Sequence, residues 1–126
     1  MGHVLSIGHD MIEIERIRYA VERYGERFLQ KIYTPEELQY CLRKHNPFPS
    51  LAVRFAVKEA VAKALKCGIG AHFLWQSASI VNRTNGAPEI RLDASATRLL
   101  RELGGSHTTL SLTHTDKLAS AVVLVV

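Results

Sequence analysis

Short apolar strands and longer helix-patterned segments alternate along this chain, and each change of period marks an element. Residues 4–7 read as a strand leading into Gly8. Met11, Ile12, Ile14 and Ile17 continue the apolar pattern with Glu13, Glu15, Arg16 and Arg18 between them. A helix begins in this stretch and runs through Arg23, its start left open because alternation persists as far as Ile14. Gly25 breaks it, and residues 27–32 form a short helical turn. Thr34-Pro35-Glu36-Glu37 is a helix start, with Thr as N-cap, Pro at the first position and Glu at the third. That helix runs to about Lys44, and two prolines make His45-Asn46-Pro47-Phe48-Pro49 a loop. Ser50 is expected to cap a long helix over residues 51–66. On it, Ala52, Ala56, Ala60 and Ala64 form a small-residue face, while Phe55, Glu59 and Lys63 share another. Cys67-Gly68-Ile69-Gly70 ends the helix, with a glycine expected at or near C′.

The second half reads as residues 77–83 in a strand, a turn at Asn85-Gly86 and a return strand over residues 89–92. An amphipathic helix over residues 94–103 stops at Gly104-Gly105. Two strands follow, residues 108–112 and 118–126, around His114-Thr115-Asp116-Lys117. The order β, helices, ββ, α, ββ predicts a single α+β domain over residues 1–126, a small antiparallel sheet packed on the long central helix.

Composition narrows this little. Hydrophobic content of 47% and charged content of 22% are those of a soluble globular protein. A net charge of +4 suits an acidic partner as well as a merely solvated surface. Cys41 and Cys67 fit neither a zinc spacing nor a disulfide framework, so a reducing, cytoplasmic setting is expected. Met1-Gly2-His3-Val4 lacks the charged-then-apolar pattern of a signal peptide. No apolar run approaches the ~20 residues of a membrane span, so no membrane partner is expected.

The chemistry concentrates in two carboxylates. Asp10 follows the first strand, and Glu59 sits mid-helix with Lys63 one turn on. Two carboxylates holding a divalent cation, with positions left open for phosphate and water, and a lysine beside them form a set suited to phosphoryl-type transfer. Singly, each has a plainer use: Asp10 as a helix-capping turn residue, and Glu59 as the partner of Lys63 in an i,i+4 pair worth about 0.3–0.5 kcal/mol. Arg54 and Lys58, also i,i+4, repel mildly unless an anion lies between them. Arg16, Arg23, Arg27 and Lys31, with Phe28 among them, form a basic stretch interleaved with Glu13, Glu15, Glu22 and Glu26. That interleaving argues against a nucleic-acid-binding module, which would concentrate its positive charge in a stripe. His3, His9, His45, His72 and His107 have no metal spacing and are expected at the surface, with His9 on the opposite strand face from Asp10.

Taken in order, these segments resemble the holo-acyl-carrier-protein synthases, the short 4′-phosphopantetheinyl transferases. The matching residues are Ile7-Gly8-His9-Asp10 with Ile14-Glu15-Arg16-Ile17, then Arg27-Phe28 and Thr34-Pro35-Glu36-Glu37-Leu38. The most specific stretch runs from Leu51-Ala52-Val53-Arg54-Phe55-Ala56-Val57-Lys58-Glu59-Ala60 through Lys63-Ala64-Leu65 to Gly68-Ile69-Gly70. Ser111-Leu112-Thr113-His114-Thr115 completes the set. The chain departs from the family pattern at Ser6 and Val53, where glycine is usual, at Ala62, often serine, and around Trp75, where an acidic residue is common.

The resemblance implies transfer of 4′-phosphopantetheine from coenzyme A to a serine of an apo-acyl carrier protein. It also implies dependence on Mg²⁺, release of adenosine 3′,5′-bisphosphate, and a homotrimer with active sites between subunits. It makes Asp10 and Glu59 metal ligands, and Asp10, Glu59 and Lys63 catalytic. It gives Arg54, Lys58, Lys63, Gly68, His114 and Thr115 to coenzyme A, and Arg16, Arg23, Arg27, Phe28 and Lys31 to the carrier protein. Glu59, Asp10 through a metal-bound water, or bulk water each stand as the general base. A catalytically inactive carrier-binding homologue is the remaining alternative.

Overall fold

The computed structural model describes residues 3–126; Met1 and Gly2, part of the N-terminal stretch read above, lie outside the described residues. The chain runs β1 (Ser6–Glu13), α1 (Ile14–Tyr24), α2 (Glu26–Ile32), α3 (Pro35–Leu42), α4 (Phe48–Ala64), a 3₁₀ turn (Trp75–Ser77), β2 (Ala78–Asn82), β3 (Pro88–Leu92), α5 (Ala94–Glu102), β4 (Thr108–His114) and β5 (Leu118–Val125). This is the expected α+β arrangement. Two boundaries moved for physical reasons. The alternation of residues 10–13 belongs to β1, which pairs with β5 along its whole length from Ser6 opposite Val125 to Glu13 opposite Leu118. The helix therefore starts only at Ile14.

Three antiparallel strands in the order β1-β5-β4 form the main sheet, and β2-β3 form a separate hairpin. Even-numbered residues of β1 and odd-numbered residues of β5 face α4. Ala119, Ala121, Val123 and Val125 are buried there, as are Ala52, Ala56, Ala60 and Ala64 on the helix. The alanine face is thus spent inside the molecule. Gly8 is its counterpart: a Cβ at this position would overlap the Ala60 carbonyl oxygen and stand 2.8 Å from the Ala64 nitrogen. The strand lies against the helix backbone because neither side carries bulk, and that close approach sets the height of Asp10, two residues along on the same face.

The helix ends show where local chemistry decided. Thr34 caps α3 with the full capping box: Glu37 N–H donates to Thr34 Oγ1, and Glu37 Oε1 accepts from Thr34 N–H. Ser50 does not cap α4. The helix begins one turn earlier, with Pro49 in a first turn whose N–H groups need no helical acceptor, and Asn46 Oδ1 accepts from the Phe48 N–H at 3.3 Å. The C-terminus of α4 is a Schellman motif. Cys67 N–H donates to Ala62 O and Lys66 N–H to Lys63 O, each at 3.0 Å. The left-handed C′ residue is Lys66, with φ 59°, rather than the expected glycine. Gly104, with φ 85°, takes that position after α5 as expected.

Candidate active site

Asp10 and Glu59 reach one place from two elements. Asp10 is half-buried on the helix-facing side of β1, and Glu59 is half-buried on α4, one turn before Lys63. Lys63 bridges them. Its Nζ donates to Asp10 Oδ1 at 3.1 Å and to the His9 carbonyl at 3.0 Å, so the ammonium pairs across to the strand rather than with Glu59. Burial and then the charge of Asp10 push the Glu59 carboxyl above its usual range, with Lys63 opposing. Glu59 thus feels the charge of Asp10 from across the strand–helix contact. His9 turns to the other face of the sheet, where its Nε2 lies 3.0 Å from Ser120 Oγ.

A divalent cation fits this donor set. The oxygens are hard, two carboxylates already press on each other, and Lys63 stands where a positive charge is called for. Among the described residues no third acidic, histidine or cysteine ligand joins them. The protein can therefore supply only part of a coordination shell, and the rest falls to water and to a bound phosphate.

A second group of expected site residues lies elsewhere. Arg54 and His114 line a cavity of about 250 Å³ with Tyr40, Lys44, Asn82 and Gly86. Asp10, Glu59 and Lys63 do not line it. The register explains the separation: Asp10 is opposite Ala121 and His114 opposite Ala119, on the two strands that flank β5. Arg54 is 5% exposed, and its guanidinium lies 4.5 Å over the Tyr40 ring. It donates to Ser50 O at 3.3 Å and Asn82 Oδ1 at 3.1 Å, while its buried Nε–H has no partner among the described residues. His114 is exposed at the end of β4, its Nδ1 3.2 Å from the Thr115 carbonyl. Thr115 uses its hydroxyl oxygen to accept from the Lys117 and Leu118 N–H groups, closing the turn into β5. Gly68 is exposed in the loop after α4, near the lysine-bearing end of that helix.

Lys58 requires a correction. Expected beside phosphates, it is wholly buried, with Nζ donating at 2.7 Å to both Glu37 Oε1 and Ala78 O. Glu37 Oε2 also accepts from the Ile80 N–H at 3.0 Å. The pair ties α3, α4 and β2 together, and no anion can reach between Lys58 and Arg54. Burial presses the lysine below its usual range while Glu37 opposes. No spacing revealed this, because the partners lie 21 residues apart.

Three of the basic-stretch residues, Arg27, Phe28 and Lys31, line one shallow depression of about 270 Å³ together with Tyr24. The Arg23 guanidinium lies 5.7 Å over the Tyr24 ring, and Arg16 is exposed on α1. Glu15 is paired with Arg18, and Glu26 accepts from Gln30. Tyr24, Tyr40, Lys44 and Asn82 were missed. Tyr40 and Lys44 carried a signal, an aromatic and a cation at i,i+4 on one helix, while Asn82 carried none.

The family profile of the 4′-phosphopantetheinyl transferase superfamily matches residues 6–123. The chain belongs to this superfamily. It is 45% identical over 121 residues to the holo-[acyl-carrier-protein] synthase of Chloroherpeton thalassium, covering 96% of this chain and 97% of that one. Among solved structures, the holo-[acyl-carrier-protein] synthase of Neisseria meningitidis superposes with a TM-score of 0.89 at 32% identity, covering 98% of both chains. The Helicobacter pylori enzyme, determined in complex with coenzyme A, superposes at 0.83 and 32% identity, covering 95% of this chain and 99% of that one.

Proposed function

We propose that this protein is a cytoplasmic holo-[acyl-carrier-protein] synthase that moves 4′-phosphopantetheine from coenzyme A to a serine of an apo-acyl carrier protein. The observation that carries the reading is the cluster of Asp10, Glu59 and Lys63, assembled by the backbone contact of Gly8 with α4. A 4′-phosphopantetheinyl transferase of this size needs a place for the pyrophosphate of coenzyme A, and this cluster has the right charges for it.

Asp10 and Glu59 would hold Mg²⁺, which when bound supplies positive charge against the pyrophosphate oxygens. The chain's own groups do the rest. Glu59, whose carboxyl is made more basic than usual by burial and by Asp10, takes the proton from the serine hydroxyl. The serine oxygen forms its bond to the β-phosphorus as the bridging P–O bond breaks, and adenosine 3′,5′-bisphosphate leaves. Lys63, exposed and held only through its ammonium, turns from Asp10 to the charge that develops on the phosphates. The cavity of Arg54 and His114 takes the nucleotide end of coenzyme A, where the charges of Arg54 and Lys44 meet phosphate. The depression at Arg27, Phe28 and Lys31 takes the acidic carrier protein.

The pyrophosphate cluster and the nucleotide cavity sit apart on one chain, which supports a homotrimer whose sites take one part from each of two subunits. The outer face of the sheet suits such contacts, with Ile7 62%, Met11 54% and Leu118 39% exposed. The alanine face of α4 is covered inside the subunit and takes no part in that contact. Incubation with coenzyme A, Mg²⁺ and apo-acyl carrier protein should add a phosphopantetheine mass to the carrier. An unmodified carrier after prolonged incubation would leave the inactive-homologue reading standing. No helix of the described residues is long and apolar enough to cross a membrane.

A further inference from the structure

Arg54 is an unusual arginine: nearly all its surface is buried, yet one of its N–H groups has no partner. A buried guanidinium is costly unless its charge is met, and Arg54 lines the cavity together with Lys44 and His114, where an anion would meet that charge. What fixes its direction is a side chain no spacing singled out. Asn82 Oδ1 accepts from one terminal nitrogen of Arg54 at 3.1 Å, and Asn82 Nδ2 donates to the Gly86 carbonyl at 3.1 Å. Asn82 therefore joins the arginine to the hairpin loop that forms another wall of the same cavity. The far side of the guanidinium is held by Ser50 O and its face by Tyr40.

We propose that Asn82 is a positioning residue for nucleotide binding: it holds the Arg54 guanidinium in the wall of the cavity, and it holds the residue 84–86 loop against it. The proposal rests on the reading of that cavity as the nucleotide site. The side-chain type matters. A neutral amide accepts from Arg54 without cancelling its charge and keeps a donor for Gly86. A carboxylate of the same shape would accept more strongly, neutralise the guanidinium and lose the donor. Electrostatic positioning and mere structural support therefore predict opposite orders for two substitutions. Asn82 is exposed at the end of β2, so both variants should fold.

The test is titration of the whole protein with adenosine 3′,5′-bisphosphate by calorimetry, with unfolding midpoints measured alongside. Asn82→Ala should weaken binding about three- to tenfold, the scale of one hydrogen bond, and Asn82→Asp should weaken it further. Arg54→Met should weaken binding about tenfold or more. In the Arg54→Met background, Asn82→Ala should add nothing, because its effect passes through the arginine. In turnover, Asn82→Ala should raise the KM for coenzyme A and leave kcat and the KM for carrier protein unchanged. Additive losses, or Asn82→Asp binding better than Asn82→Ala, would overturn the positioning role while leaving the nucleotide cavity in place. Unchanged binding in Arg54→Met would overturn both.

Discussion

Glu59 is a carboxylate kept at some cost. Its folded pKa lies above the unfolded value because burial and Asp10 both disfavour its charge. A raised carboxylate contributes most to stability below its unfolded pKa, and that contribution is lost as pH rises through the folded value. At neutral pH the metal-free protein therefore carries the strain of an ionised Glu59 beside Asp10. Glu59→Gln should raise the unfolding midpoint by a few degrees in metal-free buffer at pH 7 and should make no such difference near pH 4. The same substitution, like Asp10→Asn, should lower Mg²⁺-dependent transfer by about a hundredfold or more. Retention of near-normal turnover by either variant would remove these two residues from the metal site. Lys63→Met should lower kcat with little change in the KM for coenzyme A, since its charge counts most where charge develops. A raised KM at constant kcat would make Lys63 a ground-state binding residue instead.

At the scale of elements, the buried Glu37–Lys58 pair decides how α3, α4 and β2 meet. Both side chains are fully enclosed, so removing one partner strands the other's charge. Glu37→Gln or Lys58→Met should cost about 3–5 kcal/mol, read from denaturant midpoints, and the double change to Leu and Met should recover most of it. A loss below 1 kcal/mol for each single variant would mean the pair is not held as described. This pair also marks the limit of what the chain discloses. The capping box of α3, the alanine face of α4, the strand alternation and the glycine stop after α5 are local patterns, and local patterns are written in consecutive residues. Asp10 and Glu59 could be joined because their flanks resemble a known family. Lys58 to Glu37, Arg54 to Asn82 and Lys63 to Asp10 are contacts across 21, 28 and 53 residues. No spacing rule reaches that far, so the sequence pattern points Lys58 at phosphate and gives no sign of Asn82. On α1, Arg16 is exposed and lies away from the Asp10 cluster in sequence. Arg16→Glu should raise the KM for carrier protein and flatten its salt dependence, because exposed charges are screened over about 8–10 Å at physiological ionic strength. Equal losses for coenzyme A would instead assign Arg16 to the support of the fold.

The whole molecule raises a question that neither residue nor element answers: one chain holds two partial sites on either side of β5. If each working site takes Asp10, Glu59 and Lys63 from one subunit and the Arg54 cavity from the next, the parts can be supplied by different chains. Light scattering at micromolar concentration should give a trimer, and Met11→Asp on the outer face of the sheet should dissociate it and abolish activity together. The sharper experiment mixes two damaged proteins. Asp10→Asn should be nearly inactive alone, and Arg54→Met should be strongly impaired when coenzyme A is held well below the KM of the wild type. After unfolding and refolding together in equal amounts, random trimers place an intact cluster next to an intact cavity at about a quarter of the interfaces, so about a quarter of wild-type turnover should return. A site built within one chain predicts no recovery at any mixing ratio, because every chain in the mixture is damaged in one part. Recovery that scales with the product of the two fractions, and that vanishes when Met11→Asp is added to both chains, would locate the catalytic assembly between subunits.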